Sequence, residues 1–212
     1  MTRRIDWQDR LVAAADQALR TLAGRAVASR PSPAEGIPDP LLEAEERRMS
    51  GALMRVNHAG EVAAQALYSG QSVMARSART RDHLLQAAAE EQDHLAWCAQ
   101  RITELDGRRS LLDPLWYAGS FVLGVLAGSA GDRVSLGFIA ETERQVEAHI
   151  QDHLKRLPQA DIKSGAVLQK MATDEAHHGT TARLSGGIEL PQPVRSLIAL
   201  GGEFLRRTAL RV

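Results

Sequence analysis

From residue 41 onward, apolar side chains recur three and four positions apart rather than two, the period of helices that bury one face. The pattern predicts a helix from about Leu41 to Ala75 and a second from about Arg79 to Leu105, ended by Gly107. Another runs from about Arg133 to Leu157. Pro158 marks the next turn, and a helix from about Asp161 to Leu184 stops at Gly186 and Gly187. After Pro191 a last helix sets Val194, Leu197, Ile198, Phe204 and Leu205 against Arg195, Arg206, Arg207 and Arg211, which makes it an amphipathic, basic surface helix. Strand-like alternation is absent. Ahead of these elements Met1 to Gly24 reads as a short amphipathic helix, and Ser29 to Pro40, holding Pro31, Pro33, Pro38 and Pro40, as an exposed linker. Residues 1–40 are therefore read as an N-terminal helix and linker, and residues 41–212 as one all-α domain.

The apolar seams carry charged groups. In the second long helix Leu84, Ala87, Glu91, His94, Cys98, Ile102 and Leu105 share a stripe; in the fourth, Leu168, Met171, Glu175, His178 and Ala182 do. Both stripes contain Glu-x-x-His. Residues three apart lie about 60° apart around a helix and one turn along it, so a carboxylate and an imidazole can grip one ion. His178 completes such a pair; its neighbour His177 does not. The third helix places Ile139, Glu143, Val146, Ile150 and Leu157 on its stripe, with Glu141 and Glu147 off it, so Glu143 is its inward carboxylate. The two halves repeat: Glu61 and Glu143 are 82 residues apart, Glu91 and Glu175 are 84, and His94 and His178 are 84. Each ligand lies about 15 residues, roughly 22 Å of helix, from its hairpin turn, so all four carboxylates can meet at one level. Four-helix bundles that bind two metals use this set, a Glu from each of two helices and Glu-x-x-His from the other two.

Four carboxylates and two imidazoles suit iron or manganese better than zinc, whose usual set is smaller and tetrahedral. Two glutamates can bridge two ions, and six ligands shared by two ions leave positions open to dioxygen. Glu90 and Asp174 directly precede the chelating glutamates and are candidates to hydrogen-bond the imidazoles across the bundle. His149 is a candidate for a supporting or redox-relay role, while His58, His83 and His153 read as structural or surface residues.

Composition narrows the picture. The chain of 212 residues is long enough for one domain with a substantial core, and 44% apolar content with only 4% aromatics favours helices. Lys+Arg and Asp+Glu both number 26, so no global field points to a nucleic-acid partner. A single cysteine, Cys98, excludes a disulfide within the chain, fits a reducing compartment and reads as a core residue. Asp6, Asp9 and Asp16 interrupt any apolar run near the start, which argues against a secretory signal or a transit peptide. Pro114 to Gly131 is a run of 18 residues without a formal charge, at the short limit for a membrane span. A single crossing would put Glu61, Glu91 and His94 on one side and Glu143, Glu175 and His178 on the other, so the site could not form. As a helix of about 27 Å the run instead suits a crossover between two antiparallel hairpins. Its apolar surface, with Trp116 and Tyr117 at one end, fits the interfacial layer of a membrane or other subunits, and the basic C-terminal helix favours an anionic surface.

The stretches Arg55-Val-Asn-His-Ala-Gly-Glu61, Glu90-Glu-Gln-Asp-His-Leu-Ala-Trp97, Asp132-Arg-Val-Ser-Leu-Gly-Phe138 and Asp174-Glu-x-x-His178 resemble the Coq7 family of demethoxyubiquinone hydroxylases in its bacterial form. The resemblance runs from about Leu41 to the C-terminus, and the N-terminal helix and Pro-rich linker also look like the bacterial branch. It implies a ferritin-like four-helix bundle of two antiparallel hairpins with a hydrophobic crossover helix and an amphipathic C-terminal helix. It further implies a carboxylate-bridged di-iron monooxygenase, peripheral on the cytoplasmic face of the bacterial cell membrane. Its iron ligands would be Glu61, Glu91, His94, Glu143, Glu175 and His178, with Glu91 and Glu175 as bridges. Where some members carry a tyrosine following the histidine six residues after the third carboxylate, this chain has Ile150, so a redox role for a tyrosine there does not transfer.

The expected reaction inserts one oxygen atom of O2 into a polyprenylated 6-methoxy-3-methyl-benzoquinol, late in ubiquinone biosynthesis, with two iron ions and electrons from NADH or the quinol itself. No nucleotide-binding glycine motif is present, so a reductant binds unaided or acts through another protein. Expected partners are the lipid surface, the quinol, and a second copy of the chain or an accessory protein of the pathway. Two other readings share the ligand set. An iron-storage or iron-handling protein would have a polar crossover and assemble as a hollow shell, and a di-iron hydroxylase of a tRNA base would show a basic groove and no exposed apolar helix.

Overall fold

A computed structural model describes residues 7–23, 26–39 and 41–212, which form seven helices and no strand. They are α1 (Trp7–Ala23), α2 (Ala44–Met74), α3 (Ala78–Glu104), α4 (Asp113–Ser129), α5 (Asp132–Arg156), α6 (Ile162–Leu184) and α7 (Gln192–Ala209). Met1–Asp6 and Gly24, the ends of the predicted first helix, lie outside the described residues. Side chains define the starts. Ser77 accepts from the Thr80 amide at 3.0 Å to cap α3, and Asp161 accepts from the Ser164 amide at 3.1 Å to cap α6. Glu43 and Glu46 form a reciprocal box at the start of α2.

Helix α2 packs along α3, α5 along α6, and the two pairs meet where α3 faces α6 and α2 faces α5. Two apolar layers draw on all four helices. One holds Met54, Trp97, Cys98, Ile102, Ile150, Leu168 and Met171; the other holds Tyr68, Leu84, Ala87, Leu136, Ile139 and Ala182. On each helix the acidic and imidazole positions singled out by the sequence fall between its contributions to the two layers. Each layer therefore closes one end of the site against water, and the energetic reason for the bundle and the enclosure of the site are the same burial.

Helix α4 lies against α2 at a very short distance. A Cβ built on Gly124 would stand 2.3 Å from the Leu67 carbonyl oxygen, and one on Gly70 would stand 2.4 Å from that of Phe121. Only glycine at both positions allows the two backbones to touch. Trp116 and Tyr117 turn inward, while Leu115, Val122, Leu123 and Leu126 are at least half exposed. Among the described residues no helix is long and apolar enough to cross a membrane. The C-terminal helix α7 is tied down by Arg55, which donates to the carbonyls of Ala209 and Leu210, both at 2.7 Å. Its Phe204 meets Trp116 of α4 edge-on at 5.7 Å.

Two sequence expectations need correction. The arginines of α7 are more tied than the sequence suggested, because Arg195 faces Glu189 and Glu141, and Arg206 and Arg207 share Glu203, which leaves the helix basic but with a smaller net charge. The segment expected to be an exposed linker is exposed at Pro31 and Pro38 but buries Ala34 in the first core layer. Ser29 and Arg30 hold it there by bonding Asp93 of α3. Ahead of it α1 lies on α2, with Arg10 donating to the carbonyls of Val73 and Ala75 and Gln17 to the Gln65 side chain.

Candidate metal centre

Glu61 of α2, Glu91 and His94 of α3, Glu143 of α5, and Glu175 and His178 of α6 converge between the two apolar layers, each at most 5% exposed. Their donor atoms fall into two groups, Glu61, Glu91, His94 and Glu175 in one and Glu91, Glu143, Glu175 and His178 in the other, with all atoms of a group within 4.8 Å. Glu91 and Glu175 belong to both. His94 Nδ1 is 2.9 Å from Glu91 Oε2, 3.3 Å from Glu175 Oε1 and 3.8 Å from Glu61 Oε2. His178 Nδ1 is 3.0 Å from Glu91 Oε1 and 3.7 Å from Glu175 Oε2.

Both imidazoles thus aim Nδ1 at the carboxylates, and both are anchored by Nε2. His94 Nε2 lies 3.1 Å from Asp174 Oδ2 of the facing helix, and His178 Nε2 lies 2.8 Å from Glu90 Oε2. These are the crossed pairs that the positions of Glu90 and Asp174 suggested. A proton on Nε2 leaves the Nδ1 lone pair free for a ligand, so each acid selects the tautomer as well as the ring orientation.

The charges show what the cluster demands. Burial, together with Glu91 and Glu175, holds the Glu61 carboxyl well above its ordinary range; burial, Glu175 and Glu91 do the same to Glu143. Burial would raise Glu91 as well, but His94 and His178 outweigh it and hold it low. Burial would lower His178, yet Glu175 and Glu91 push it up to about 12, and His94 is raised in the same way by Glu91 and Asp174. A group of buried acids and bases that pull protons this strongly is short of positive charge. Glu91 Oε1, Glu175 Oε2 and His178 Nδ1 are buried without a partner in hydrogen-bond geometry. Four carboxylates ask for four positive units, the charge of two divalent cations, and the O/N donor set fits iron or manganese.

Tyr68 was not foreseen. It is fully buried, two turns beyond Glu61 on α2, and its hydroxyl donates to Glu143 Oε1 at 2.5 Å. Burial and the Glu143 carboxylate push the phenol well up, so it remains the donor in this pair. The spacing of seven from Glu61 was a usable signal. Glu141, expected off the stripe, is also buried, but Arg144, Gln145 and Arg195 hold it, and it is absent from both donor groups. His177 is exposed. His58 is buried with its Nδ1 3.5 Å from Asp113, near the start of α4, and His83 is half-buried. Cys98 faces Met171 in the core, with burial raising its thiol. A cavity lies under α1, between Gln17, Gln65, Arg81 and Gln92, and none of the six donors lines it.

His149 lies outside both donor groups. Its Nε2 is 3.1 Å from Asn57 Oδ1, whose Nδ2 is 3.1 Å from His153 Nδ1. Burial pulls both imidazoles down, His149 to about 3 with His153 and Arg206 adding, His153 to about 4 with Arg156 adding and Asp152 opposing. The folded chain therefore refuses protons that the unfolded chain takes up below its usual value of about 6.5. This contribution to stability is whole above that value and is lost as pH falls toward the folded values. Urea titrations should show His153→Gln, which keeps a group for Asn57 to bond, losing about 1–2 kcal/mol less stability between pH 7 and 5 than the parent chain. Equal losses in both would place His153 among ordinary solvated histidines.

Comparison with known proteins gives the site a context. The family model described as ubiquinone biosynthesis protein COQ7 matches residues 48–208. Proteins named 3-demethoxyubiquinol 3-hydroxylase are similar over nearly the whole chain. That of Xanthomonas euvesicatoria pv. vesicatoria is 53% identical over 204 residues, 96% of this chain and 94% of its own. That of Verminephrobacter eiseniae is 54% identical over 201 residues, 95% of this chain and 97% of its own. The Cupriavidus metallidurans protein is 52% identical over 206 residues, 96% of this chain and 100% of its own.

Proposed function

The chain belongs to the COQ7 family of ubiquinone biosynthesis proteins, and on that premise we propose that it is a di-iron monooxygenase that hydroxylates the ring of a polyprenylated 6-methoxy-3-methyl-benzoquinol. The single observation that carries this reading is the pair of four-donor groups sharing Glu91 and Glu175. In the balance of the reaction one atom of O2 enters the ring, the other leaves as water, and two electrons come from NADH or from the quinol.

Glu61, Glu91, His94 and Glu175 would hold one iron, and Glu91, Glu143, Glu175 and His178 the other. Two irons held there would supply dioxygen with two electrons, one from each ion. The protein supplies placement. Asp174 and Glu90 keep the Nε2 protons of His94 and His178 in place, so both rings present Nδ1. Tyr68 occupies one oxygen of Glu143 and limits how that carboxylate can turn. Trp97, Leu168 and Met171 on one side and Leu84 and Ile139 on the other exclude water that would quench an activated oxidant.

The arrangement of α2 with α3 and α5 with α6, joined by α4, supports a ferritin-like bundle of two antiparallel hairpins with α4 as the crossover. The isoprenoid tail explains why such an enzyme should rest on lipid, since each CH2 taken into water costs roughly 0.8 kcal/mol. Exposed leucines on α4 and α7 support peripheral binding to a lipid surface, and the cytoplasmic face of the cell membrane is the one the family resemblance implies. They weigh against a tRNA-base hydroxylase and against iron storage behind a polar crossover.

The test uses purified protein loaded with Fe(II), isotopically heavy dioxygen, NADH and a short-tailed demethoxyquinol. Mass spectrometry should find the ring heavier by one labelled oxygen atom. Consumption of Fe(II) and dioxygen with the ring unchanged would hand the site to iron handling instead.

A further inference from the structure

Arg30 lies in the Pro-rich segment ahead of residues 48–208, yet its guanidinium reaches the two helices that carry Glu-x-x-His. Its Nε lies 2.5 Å from Asp93 Oδ2 on α3, and one terminal nitrogen lies 3.0 Å from Asp174 Oδ2 on α6. The other donates to the Glu90 carbonyl at 3.4 Å, and the Cζ stands 5.0 Å over the Trp97 ring. The backbone fixes the segment too: the Ser29 amide and hydroxyl both donate to Asp93 Oδ1, and Trp97 Nε1 donates to the Arg30 carbonyl. Asp93 adjoins His94 and Asp174 adjoins Glu175. A single planar cation thus ties together the two helices that hold four of the six donors, at the residues next to His94 and Glu175, a task that suits the fork of arginine.

The contact is one-sided. Asp174 Oδ2 receives both Arg30 and His94 Nε2, while Lys170 one turn back on α6 holds Oδ1; of the two cations only Arg30 shares the oxygen that meets the imidazole and ties it to α3. On the other side Arg30 reaches only the Glu90 carbonyl; the Glu90 carboxylate, 32% exposed, meets Gln86 at 3.5 Å besides His178, and among the described residues no arginine or lysine pairs with it.

We propose that residues 29–34 are a strap and Arg30 a positioning residue, so that the ion held by Glu61, Glu91, His94 and Glu175 depends on the N-terminal segment being docked while the ion beside His178 depends on it much less. The proposal rests on the six donors being metal ligands. By linkage, binding at the first position and docking of the strap strengthen each other by the same factor.

Co(II) titration of the whole chain, followed by the cobalt absorption bands, tests it without turnover. The parent chain should take up two ions. Arg30→Met, which keeps an apolar stem over Trp97, should bind one ion as before and the other about 10- to 100-fold more weakly, with changed bands for that ion alone. Two ions bound as in the parent, or both weakened alike together with a lower melting point of the metal-free form, would overturn the strap. Should Arg30→Met not fold, hydrogen exchange on the parent chain decides. Cobalt should slow the amides of Ser29 and Arg30, and unchanged exchange there overturns the proposal. A parent chain that binds fewer than two ions would instead bring down the ligand reading, and this proposal with it.

Discussion

Replacing Glu91 with alanine is expected to remove both metal ions and to lower quinol hydroxylation at least about 1,000-fold, which corresponds to roughly 4 kcal/mol of lost transition-state stabilisation. The reason is its place in both donor groups, with Oε2 beside His94 and Oε1 beside His178. Glu61→Ala removes a donor from one group only, so iron analysis should find about one ion held rather than none, although turnover falls as far because two electrons are required together. Glu61→Gln separates ligation from folding. Burial and the neighbouring Glu91 and Glu175 push the Glu61 carboxyl toward its neutral form, and an amide copies that form without the option of ionising. The metal-free Glu61→Gln chain should therefore melt above the metal-free parent, by about 1 kcal/mol or somewhat more in stability, while losing activity. Two bound ions and normal turnover in Glu91→Ala would show that the shared carboxylate is not a ligand.

The seams of α3 and α6 were legible because helix geometry turns a spacing into a direction without reference to the rest of the chain. Leu84, Ala87, Glu91, His94, Cys98, Ile102 and Leu105 are all buried, as are Leu168, Met171, Glu175, His178 and Ala182. Glu90 and Asp174 were legible for the same reason, since each sits one position from a seam residue and faces the neighbouring helix. What escaped depends on contacts between distant parts of the chain. Burial of Glu141 needs Arg195 from the first turn of α7, and the role of Tyr68 needs Glu143 to arrive 75 positions later. Arg30 reads as a solvated charge among prolines until Asp93 and Asp174 are known to stand within one guanidinium of each other.

The pairing of Arg206 and Arg207 with Glu203 is different. Their spacings of three and four are local, and charge along a helix face should have been read as pairs before it was read as a field. That correction alters the expected physics at a lipid surface. If cations drew the chain to the membrane, salt would release it. With Arg195 facing carboxylates and Arg206 and Arg207 sharing Glu203, the net positive charge is small, and most of the attraction falls to the apolar side chains of α4 and α7, which meet at Trp116 and Phe204.

Partition onto vesicles of mixed zwitterionic and anionic lipid should accordingly change little with added salt and collapse when apolar contact is removed. Leu123, Leu126, Leu197 and Leu200 are 50%, 62%, 68% and 67% exposed, so glutamates there disturb no core packing. Full burial of a leucine contributes about 1.5–3 kcal/mol. Leu126→Glu combined with Leu197→Glu should then cost about 3–6 kcal/mol, a fall of at least about 100-fold in partition, before the penalty of bringing carboxylates to lipid is added. Circular dichroism should be unchanged. Turnover of a short-tailed quinol in solution should survive in this variant, whereas turnover of a long-tailed quinol embedded in vesicles should fall with the partition. Partition that holds in the variant but disappears in salt would return the lipid contact to the arginines.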